Sequence, residues 1–165
     1  MKKFKDDTEI LQPKNQLCLF GYKYYFNSFL KLYEKNELPN IILLSGPKGL
    51  GNSTFAYHLT NHLLSKNAEK RYSIENFTIN ENNRSYKLLK KNIHPNFFLI
   101  ENSSHENNIK IDQVRNLINF LNKTSFGVNL KIIIIDNVEF LNLYSSNALL
   151  KSIEEPKNNT FFYYS

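Results

Sequence analysis

A short stretch of this sequence has the residue types and the spacing of a phosphate-binding loop. Residues 46–53 read G-P-K-G-L-G-N-S, which follows the pattern G-x-x-x-x-G-K-S/T. Glycines in such a loop let the backbone wrap a phosphate, while the N–H groups and the positive end of the next helix point at it. The candidate nucleotide-binding residues are Gly46, Gly49, Gly51, Asn52, Ser53 and Thr54. Ser53 is placed to hold Mg²⁺.

One position of this pattern departs from its usual chemistry, because Asn52 stands where the pattern has lysine. A charge-assisted hydrogen bond contributes about 1.5–3 kcal/mol, so its loss weakens nucleotide binding by about ten- to a hundredfold. The change also removes positive charge from the transition state of phosphoryl transfer. Lys48 lies earlier in the loop, and the spacing does not place its amine on the γ-phosphate. A glycine-rich turn that binds nothing explains the loop equally well.

A second candidate group is the carboxylate of Asp136, which directly follows the apolar run Ile132–Ile135. A buried strand that ends in Asp brings a carboxylate to the edge of a sheet, where it can hold Mg²⁺. Hydrolysing sites of this kind usually have a glutamate next, whereas this chain has Asn137, whose amide cannot act as a base. Glu139 is expected to point elsewhere. A simple turn-capping role for Asp136 is equally compatible with the sequence.

Strands and helices must alternate to position these groups. Short apolar runs predict strands at 41–44, 97–100, 132–135 and 161–164. Apolar periodicity predicts helices at 22–35, 52–66, 84–91, 112–121 and 143–154, with Asp112 as a capping residue. This alternation predicts an α/β domain with a parallel sheet and flanking helices. The run at 41–44 is expected to be buried on both faces.

The composition suits one globular domain of 165 residues, with 41% hydrophobic and 22% charged residues. The single cysteine, Cys18, excludes an internal disulfide and a thiolate zinc cluster. Apolar runs are far shorter than the about 20 residues that cross a bilayer, and residues 1–9 do not resemble a signal peptide. We therefore expect a soluble cytoplasmic protein with no membrane partner.

The net charge of +6 raises the question of a nucleic-acid partner. The basic residues are scattered along the chain, apart from Lys87, Lys90 and Lys91, which have helical spacing. These lysines could contact phosphate, but a solvated helix face is the favoured interpretation.

The most informative segment is 147–156, which reads N-A-L-L-K-S-I-E-E-P. Periodicity predicts a helix in which Leu149, Leu150 and Ile153 can pack, and which ends before Pro156. The segment resembles the N-A-L-L-K-x-x-E-E-P signature of the clamp-loader subunits of bacterial DNA polymerase III. The signature residues are Asn147, Ala148, Leu149, Leu150, Lys151, Glu154, Glu155 and Pro156.

Other segments resemble the same family in order and spacing. Residues 19–22 (L-F-G-Y) are similar to its L-x-G-H/Q box, and residues 94–96 (H-P-N) to its H-P-D motif. Residues 111–115 (I-D-Q-V-R) are similar to the I-D-Q-I-R that opens a helix in delta-prime subunits. The resemblance implies that residues 19–165 form an AAA+ P-loop-type domain after a flexible segment at 1–18.

The missing lysine and the missing second acid resemble the delta-prime type in particular. That likeness implies a non-hydrolysing subunit with no catalytic residues and weak binding of ATP and Mg²⁺ at best. Its implied partners are gamma/tau-type and delta subunits, and through them the sliding clamp and primed DNA. The four-cysteine zinc module of many relatives is absent from 67–93, so no zinc is expected. An active gamma-like ATPase and a truncated, non-functional remnant remain alternatives.

The resemblance also implies a domain truncated after its fourth strand, where the sensor 1 segment of the family begins. The S-R-C motif, the last strand, the lid and the collar of the family would lie downstream of Ser165. The sheet order in this family is 5-1-4-3-2, so the first strand is expected to be an exposed edge. We therefore predict that the chain is poorly stable alone, with no cooperative transition well above about 50 °C.

Overall fold

The computed structural model describes residues 11–47, 49–101, 109–125, 130–154 and 160–164, without the side chains of 151 and 152. The helices are α1 (Lys23–Glu34), α2 (Asn52–Leu64), α3 (Arg84–Lys90), α4 (Ile111–Asn122) and α5 (Leu143–Glu154). The strands are β1 (Ile41–Leu43), β2 (Phe97–Ile100), β3 (Lys131–Ile135) and β4 (Thr160–Tyr164). Each predicted helix and strand is present, with ends that differ by no more than two residues. Within the described ranges, no helix is long and apolar enough to cross a membrane.

The four strands form one parallel sheet in the order β1-β4-β3-β2. Right-handed crossovers place α2 on one face of this sheet and α4 and α5 on the other. The predicted α/β fold with a parallel sheet and flanking helices is therefore confirmed, as is the order expected for the first four strands.

Two apolar cores lie on the two faces of the sheet. The first core joins α1, α2 and α3 to the sheet and contains Phe26, Phe55 and Ile134. The second core lies under α4 and α5 and contains Ile133 and Phe162. All five residues of β3 are buried, because the strand lies between two others and has helices on both faces.

The prediction that the first strand is buried on both faces is wrong. Ile42 is buried, but Ile41 is 42% exposed and Leu43 is 66% exposed. Within the described residues β1 pairs only with β4, and α4 and α5 leave the outer part of their face uncovered. The unbroken apolar run therefore predicted the strand correctly, but the prediction that both of its faces are buried was wrong.

The start of α4 corrects a second prediction, because Lys110 rather than Asp112 is its capping residue. The backbone N–H of Lys110 donates to Oε1 of Gln113 at 3.0 Å. Asp112 lies inside the first turn, where its charge favours the helix dipole, and it pairs with Arg115 at 3.0 Å. Ile109 anchors this start, since it is fully buried and its N–H donates to the carbonyl of Phe140 at 2.9 Å.

Helices α1 and α3 end in the same way. Asn36 (φ 58°) and Asn92 (φ 55°) follow the two helices in the left-handed conformation. After α1, the N–H of Asn36 donates to the carbonyl of Tyr33, and the N–H of Glu37 donates to that of Leu32. The same pair of hydrogen bonds follows α3. Both ends are Schellman motifs in which asparagine occupies the usual position of glycine.

Residues 11–18 contact the domain, although a flexible segment was expected over 1–18. Pro13–Asn15 form a 3-10 turn beside α2. The carbonyl of Gln16 lies 3.1 Å from Nε2 of the buried His58, and the carbonyl of Leu17 accepts from the N–H of Ile79 at 2.9 Å. Residues 1–10 lie outside the described part of the chain.

Candidate functional site

The predicted phosphate loop connects the end of β1 to the start of α2. Gly51 caps α2 with φ of 100°, a conformation that residues with a side chain rarely adopt. Gly49 has φ of 88°, in the same left-handed region. A Cβ atom at Gly46 would lie 2.9 Å from Cδ2 of Leu50, which is the end of a flexible, exposed side chain that can move. The path of the loop therefore favours glycine at 49 and 51 more strongly than at 46. Lys48 lies outside the described residues.

Asn52 begins α2, and its side chain crosses the neck of the loop. Its Nδ2 donates to the carbonyl of Leu44 at 3.1 Å. The Tyr22 hydroxyl lies 3.1 Å from Oδ1 of Asn52 and also 3.1 Å from the carbonyl of Leu50, and its single hydrogen is shared between these two acceptors. We call this arrangement of Tyr22, Leu44, Leu50 and Asn52 the loop clasp. It ties together α1, the end of β1 and the start of α2.

Ser53 and Asp136, which the sequence proposed separately as Mg²⁺ ligands, lie together. Oγ of Ser53 donates to Oδ1 of Asp136 at 3.1 Å. Asp136 directly follows β3, and its N–H donates to the carbonyl of Ile100 at 2.9 Å. A hydroxyl and a carboxylate oxygen are ligands that Mg²⁺ accepts, so this pair fits a metal. The loop beside this pair has Asn52 at the position where the pattern has lysine.

A cavity of about 330 Å³ opens at this pair. Its lining residues are Gln12, Pro13, Lys14, Ser53, Tyr57, Leu99, Glu101, Ile134 and Asp136. The 3-10 turn near the N-terminus therefore forms one wall, and Lys14 is the only cation of the described lining. Thr54 lies next to Ser53 on α2, but it does not line this cavity.

Glu101 is a residue of this site that the sequence analysis did not propose. Ile100 of β2 pairs with Ile135 of β3, so Glu101 and Asp136 leave the sheet side by side. Burial raises the pKa of Tyr57 first, and the negative charges of Glu101 and Asp136 raise it further. The signal was present in the sequence, since Glu101 follows an apolar run just as Asp136 does.

The residues after Asp136 turn away from the cavity. Asn137 has φ of 58° and starts a 3-10 turn at Val138–Phe140. Glu139 lies in that turn with its side chain exposed, and it is not among the cavity-lining residues. This placement agrees with the expectation that Glu139 points elsewhere.

The signature helix α5 is held by its inner face. Leu149 is buried and Ile153 packs against the second core, while Oγ of Ser145 donates to the carbonyl of Ile109 at 3.3 Å. Leu150 was expected to pack but is 49% exposed, because it follows Leu149 and consecutive helical residues point about 100° apart. Asn147 and Glu154 are also exposed.

The remaining signature residues divide by what the structure describes. Ala148 is half-buried against the second core. Lys151 lies in α5, but its side chain is not described, and Glu155 and Pro156 lie outside the described residues.

A parallel sheet in this strand order, with flanking helices on both faces, defines an α/β domain whose arrangement is consistent with that expected for the AAA+ class. The chain belongs to the protein family described as DNA polymerase III, delta subunit, whose model matches residues 22–164. This match confirms the resemblance to clamp-loader subunits of the delta-prime type.

Three relatives illustrate the likeness. The chain is 32% identical to DNA polymerase III subunit delta' of Pseudomonas aeruginosa over 72% of its own length and 34% of the relative's. It is 23% identical to the delta' subunit of Escherichia coli over 84% of its length. It is 25% identical to the gamma subunit of Buchnera aphidicola subsp. Schizaphis graminum over 92%. The chain spans 40% and 39% of the last two relatives.

The fold is similar to that of a solved structure as well. A crystal structure of a DNA polymerase III gamma subunit-related protein from Thermotoga maritima matches with a TM-score of 0.58 and 20% identity. The match covers 82% of this chain and 38% of that protein.

Proposed function

We propose that this chain acts as a non-hydrolysing, delta-prime-like subunit of the clamp loader of DNA polymerase III. In this role it helps to load the sliding clamp onto primed DNA, as a partner of gamma/tau-type and delta subunits in the cytoplasm. Both delta' and gamma subunits are among its relatives, so the choice between them depends on the chemistry of the site.

The loop clasp is the observation that favours a delta-prime-like role over a gamma-like role. Asn52 occupies the lysine position of the loop, and both atoms of its amide already bind Leu44 and Tyr22. A neutral amide held in this way offers no charge to a β- or γ-phosphate. The group therefore stabilises the loop itself, whereas a lysine would also stabilise a nucleotide.

A second feature supports the same choice. The residue after Asp136 is Asn137, whose backbone is left-handed and whose amide cannot accept a proton from water. Ser53 and Asp136 would still hold Mg²⁺ if a nucleotide brought it. We therefore propose at most weak binding of ATP and Mg²⁺, without turnover.

ATP binding and ATP hydrolysis are compared between the native chain and the Asn52→Lys variant. We expect no ATP hydrolysis by either protein, and tighter binding of a fluorescent ATP analogue by Asn52→Lys, by about ten- to a hundredfold. Asn27→Lys is the matched control, because Asn27 is exposed on α1 and the same charge is added away from the loop. Equal gains in affinity for the ATP analogue in both variants would show that the added charge does not act through the loop.

A gamma-like ATPase is the second candidate, and Glu101 is the observation that favours it. Its carboxylate lines the same cavity as Ser53 and Asp136, so it could polarise water in place of the missing glutamate. If the native chain hydrolyses ATP and Glu101→Gln abolishes the activity while nucleotide binding persists, this candidate replaces the first. Glu139→Gln, at an exposed acid outside the cavity, is the control.

The role in the complex is tested by co-purification from the native cell with a tag at the N-terminus. We expect delta and gamma-type subunits to accompany the chain. Recovery of the chain alone, or with chaperones only, would favour a non-functional remnant and contradict the proposed role.

A further inference from the structure

The positive charge of the chain is concentrated in one region. Residues 66–94 contain seven of its 21 lysine and arginine residues but three of its 15 acidic residues. This stretch of 29 residues therefore carries a charge of +4 out of the total of +6. It includes α3 and the loop that leads from α2 into it.

Helix α3 is fixed in one orientation by its inner face. Ser85, Tyr86 and Leu89 are buried, and Oγ of Ser85 donates to the carbonyl of Leu64 at the end of α2 at 3.0 Å. The opposite side of the helix must then face solvent. Arg84 and Lys87, three residues apart on that side, are both exposed, and Lys91 caps the helix on the same side one turn later.

Asn83 brings two further cations to the start of this helix. Its Oδ1 accepts from the N–H of Tyr86 at 2.9 Å, and its Nδ2 donates to the carbonyl of Lys70 at 2.9 Å. The exposed pair Lys70 and Arg71 therefore lies beside Arg84. We call these five exposed residues the basic face: Lys70, Arg71, Arg84, Lys87 and Lys91.

The cations of the basic face form no direct ion pairs within the described part of the chain, although Glu69 and Glu81 belong to the same stretch. None of its five residues forms an ion pair within the described ranges, where Arg115 and Asp112 do form one. The neighbouring Lys90 lies 5.9 Å from the centre of the Tyr86 ring. A rigid surface with five unpaired cations attracts a polyanion.

We propose that the basic face binds the phosphodiester backbone of nucleic acid. Arg84 to Lys91 spans about 10 Å along a helix, which matches about three successive phosphates of one DNA strand. Asn80, Asn82 and Asn92 are exposed and lie within four residues of Arg84 or Lys91 in the sequence, and their amides can donate to phosphate oxygens.

An anionic membrane fits this surface less well than nucleic acid does. A helix that lies in a membrane surface inserts apolar side chains between the lipids. The apolar residues Tyr86 and Leu89 of α3 are instead buried in the protein core, and Ile93 is the one large apolar side chain exposed just beyond the helix.

The inference deepens the proposed function, since primed DNA is the substrate proposed for the complex. The proposed role in the clamp loader and the proposed binding of DNA by the basic face can nevertheless fail separately. Co-purification tests membership of the complex, whereas direct binding of DNA by the isolated chain tests the basic face. None of the five residues lines the cavity beside Asp136.

The test is fluorescence anisotropy with a labelled mixed-sequence DNA duplex and a labelled oligothymidylate, over salt from about 50 to 200 mM. Arg84→Gln combined with Lys87→Gln is compared with Lys31→Gln combined with Lys35→Gln, a matched loss of two exposed charges near α1. We expect the first pair to lower affinity at least about tenfold and to reduce the salt slope on duplex by about 1.8. The control pair should change both quantities much less.

Circular dichroism and thermal melts establish that both double variants are folded. Stronger binding to the duplex or to the single strand identifies the form that the basic face prefers, and either result supports the proposal. If the two double variants lose affinity for DNA equally, the loss comes from the change in net charge, and the proposal is overturned. No binding to either DNA would also overturn it, as would binding confined to phosphatidylserine vesicles.

Discussion

The side chain of Asn52 is engaged within its own loop. It crosses the neck of the loop and donates to the carbonyl of Leu44. It does not supply charge to a phosphate. The Tyr22 hydroxyl completes the clasp from α1, which makes the loop part of the structural framework of the domain.

We predict that Tyr22→Phe destabilises the protein by about 1 kcal/mol, because the hydroxyl hydrogen is shared between Oδ1 of Asn52 and the carbonyl of Leu50. The melting temperature should fall by about 2–4 °C. Tyr24→Phe is the control, since Tyr24 is 77% exposed. A Tyr22→Phe protein as stable as the control would show that the clasp contributes nothing.

Three histidines make stability depend on pH. Burial lowers the pKa of His58, His62 and His94 to about 4, against about 6.5 in the unfolded chain. Between these values the unfolded chain binds more protons than the folded protein. The stability present above pH 6.5 should therefore fall towards pH 4, by at most about 1.4 kcal/mol per pH unit for each histidine.

Urea unfolding at several pH values measures this dependence. His62→Phe keeps an aromatic ring against Phe26 and Tyr72 but removes one titrating group, so its slope against pH should be smaller. An unchanged slope in this variant would exclude His62 as a contributor.

At the residue scale, the positions of polar side chains were easier to predict from the sequence than the hydrogen bonds that they form. The places of Ser53 at the start of a helix and of Asp136 at the end of a strand were predictable, because strand ends and loop spacing are local patterns. The partnership of Asn52 with Tyr22 joins residues 30 positions apart, and no local pattern reports such a contact. Glu101 was missed although its pattern is local, because it lacked a family motif.

At the element scale, Lys131 ties the sheet to a helix end. It is buried in β3, and its Nζ donates to the carbonyls of Phe120 and Leu121 at 2.7 and 3.0 Å, and also to that of Lys123. These carbonyls belong to the last turn of α4 and to its C-cap residue Lys123, where a positive charge is favourable. The apolar pattern began this strand at Ile132, so a buried lysine in it was not predicted.

We predict that Lys131→Met lowers the free energy of unfolding by about 2–3 kcal/mol, because charged hydrogen bonds to the end of α4 are lost. Lys123→Met, at an exposed position, should cost much less. Urea denaturation compares the two. If the two variants lose similar amounts of stability, Lys131 acts mainly through its apolar stem, which methionine retains in part.

The edge strand β1 supports a prediction about association. Leu43 is 66% exposed on a strand that pairs on one side within the described residues, and such an edge promotes aggregation. Leu43→Lys should reduce light scattering of concentrated solutions with little loss of stability. Ile42→Lys, at the buried neighbour, should instead prevent folding. Unchanged scattering by folded Leu43→Lys would place the association elsewhere.

Helices and strands were predictable because their apolar periods are local, and the sheet order came from the family resemblance. Burial of each strand was less predictable, as Ile41 and Leu43 demonstrate, since it depends on which helix covers which strand. The start of α4 shifted to Lys110 because the buried Ile109 fixes the chain there.

For the whole molecule, we predict a cooperative unfolding transition no higher than about 50 °C in dilute solution. The described residues leave Ile41, Leu43, Leu143 and Tyr144 largely exposed, so part of the apolar surface gains no stability from burial. Calorimetry of the isolated chain measures the transition. A cooperative midpoint well above 50 °C would contradict this expectation.

The two helix ends at Asn36 and Asn92 have a consequence for how this gene can evolve. Glycine is the usual residue at such left-handed positions, yet the chain contains only five glycines. Asparagine tolerates the same conformation, and its codons begin with two As where glycine codons begin with two Gs. A gene that drifts towards A and T can therefore exchange glycine for asparagine at these turns while the protein keeps both helix ends.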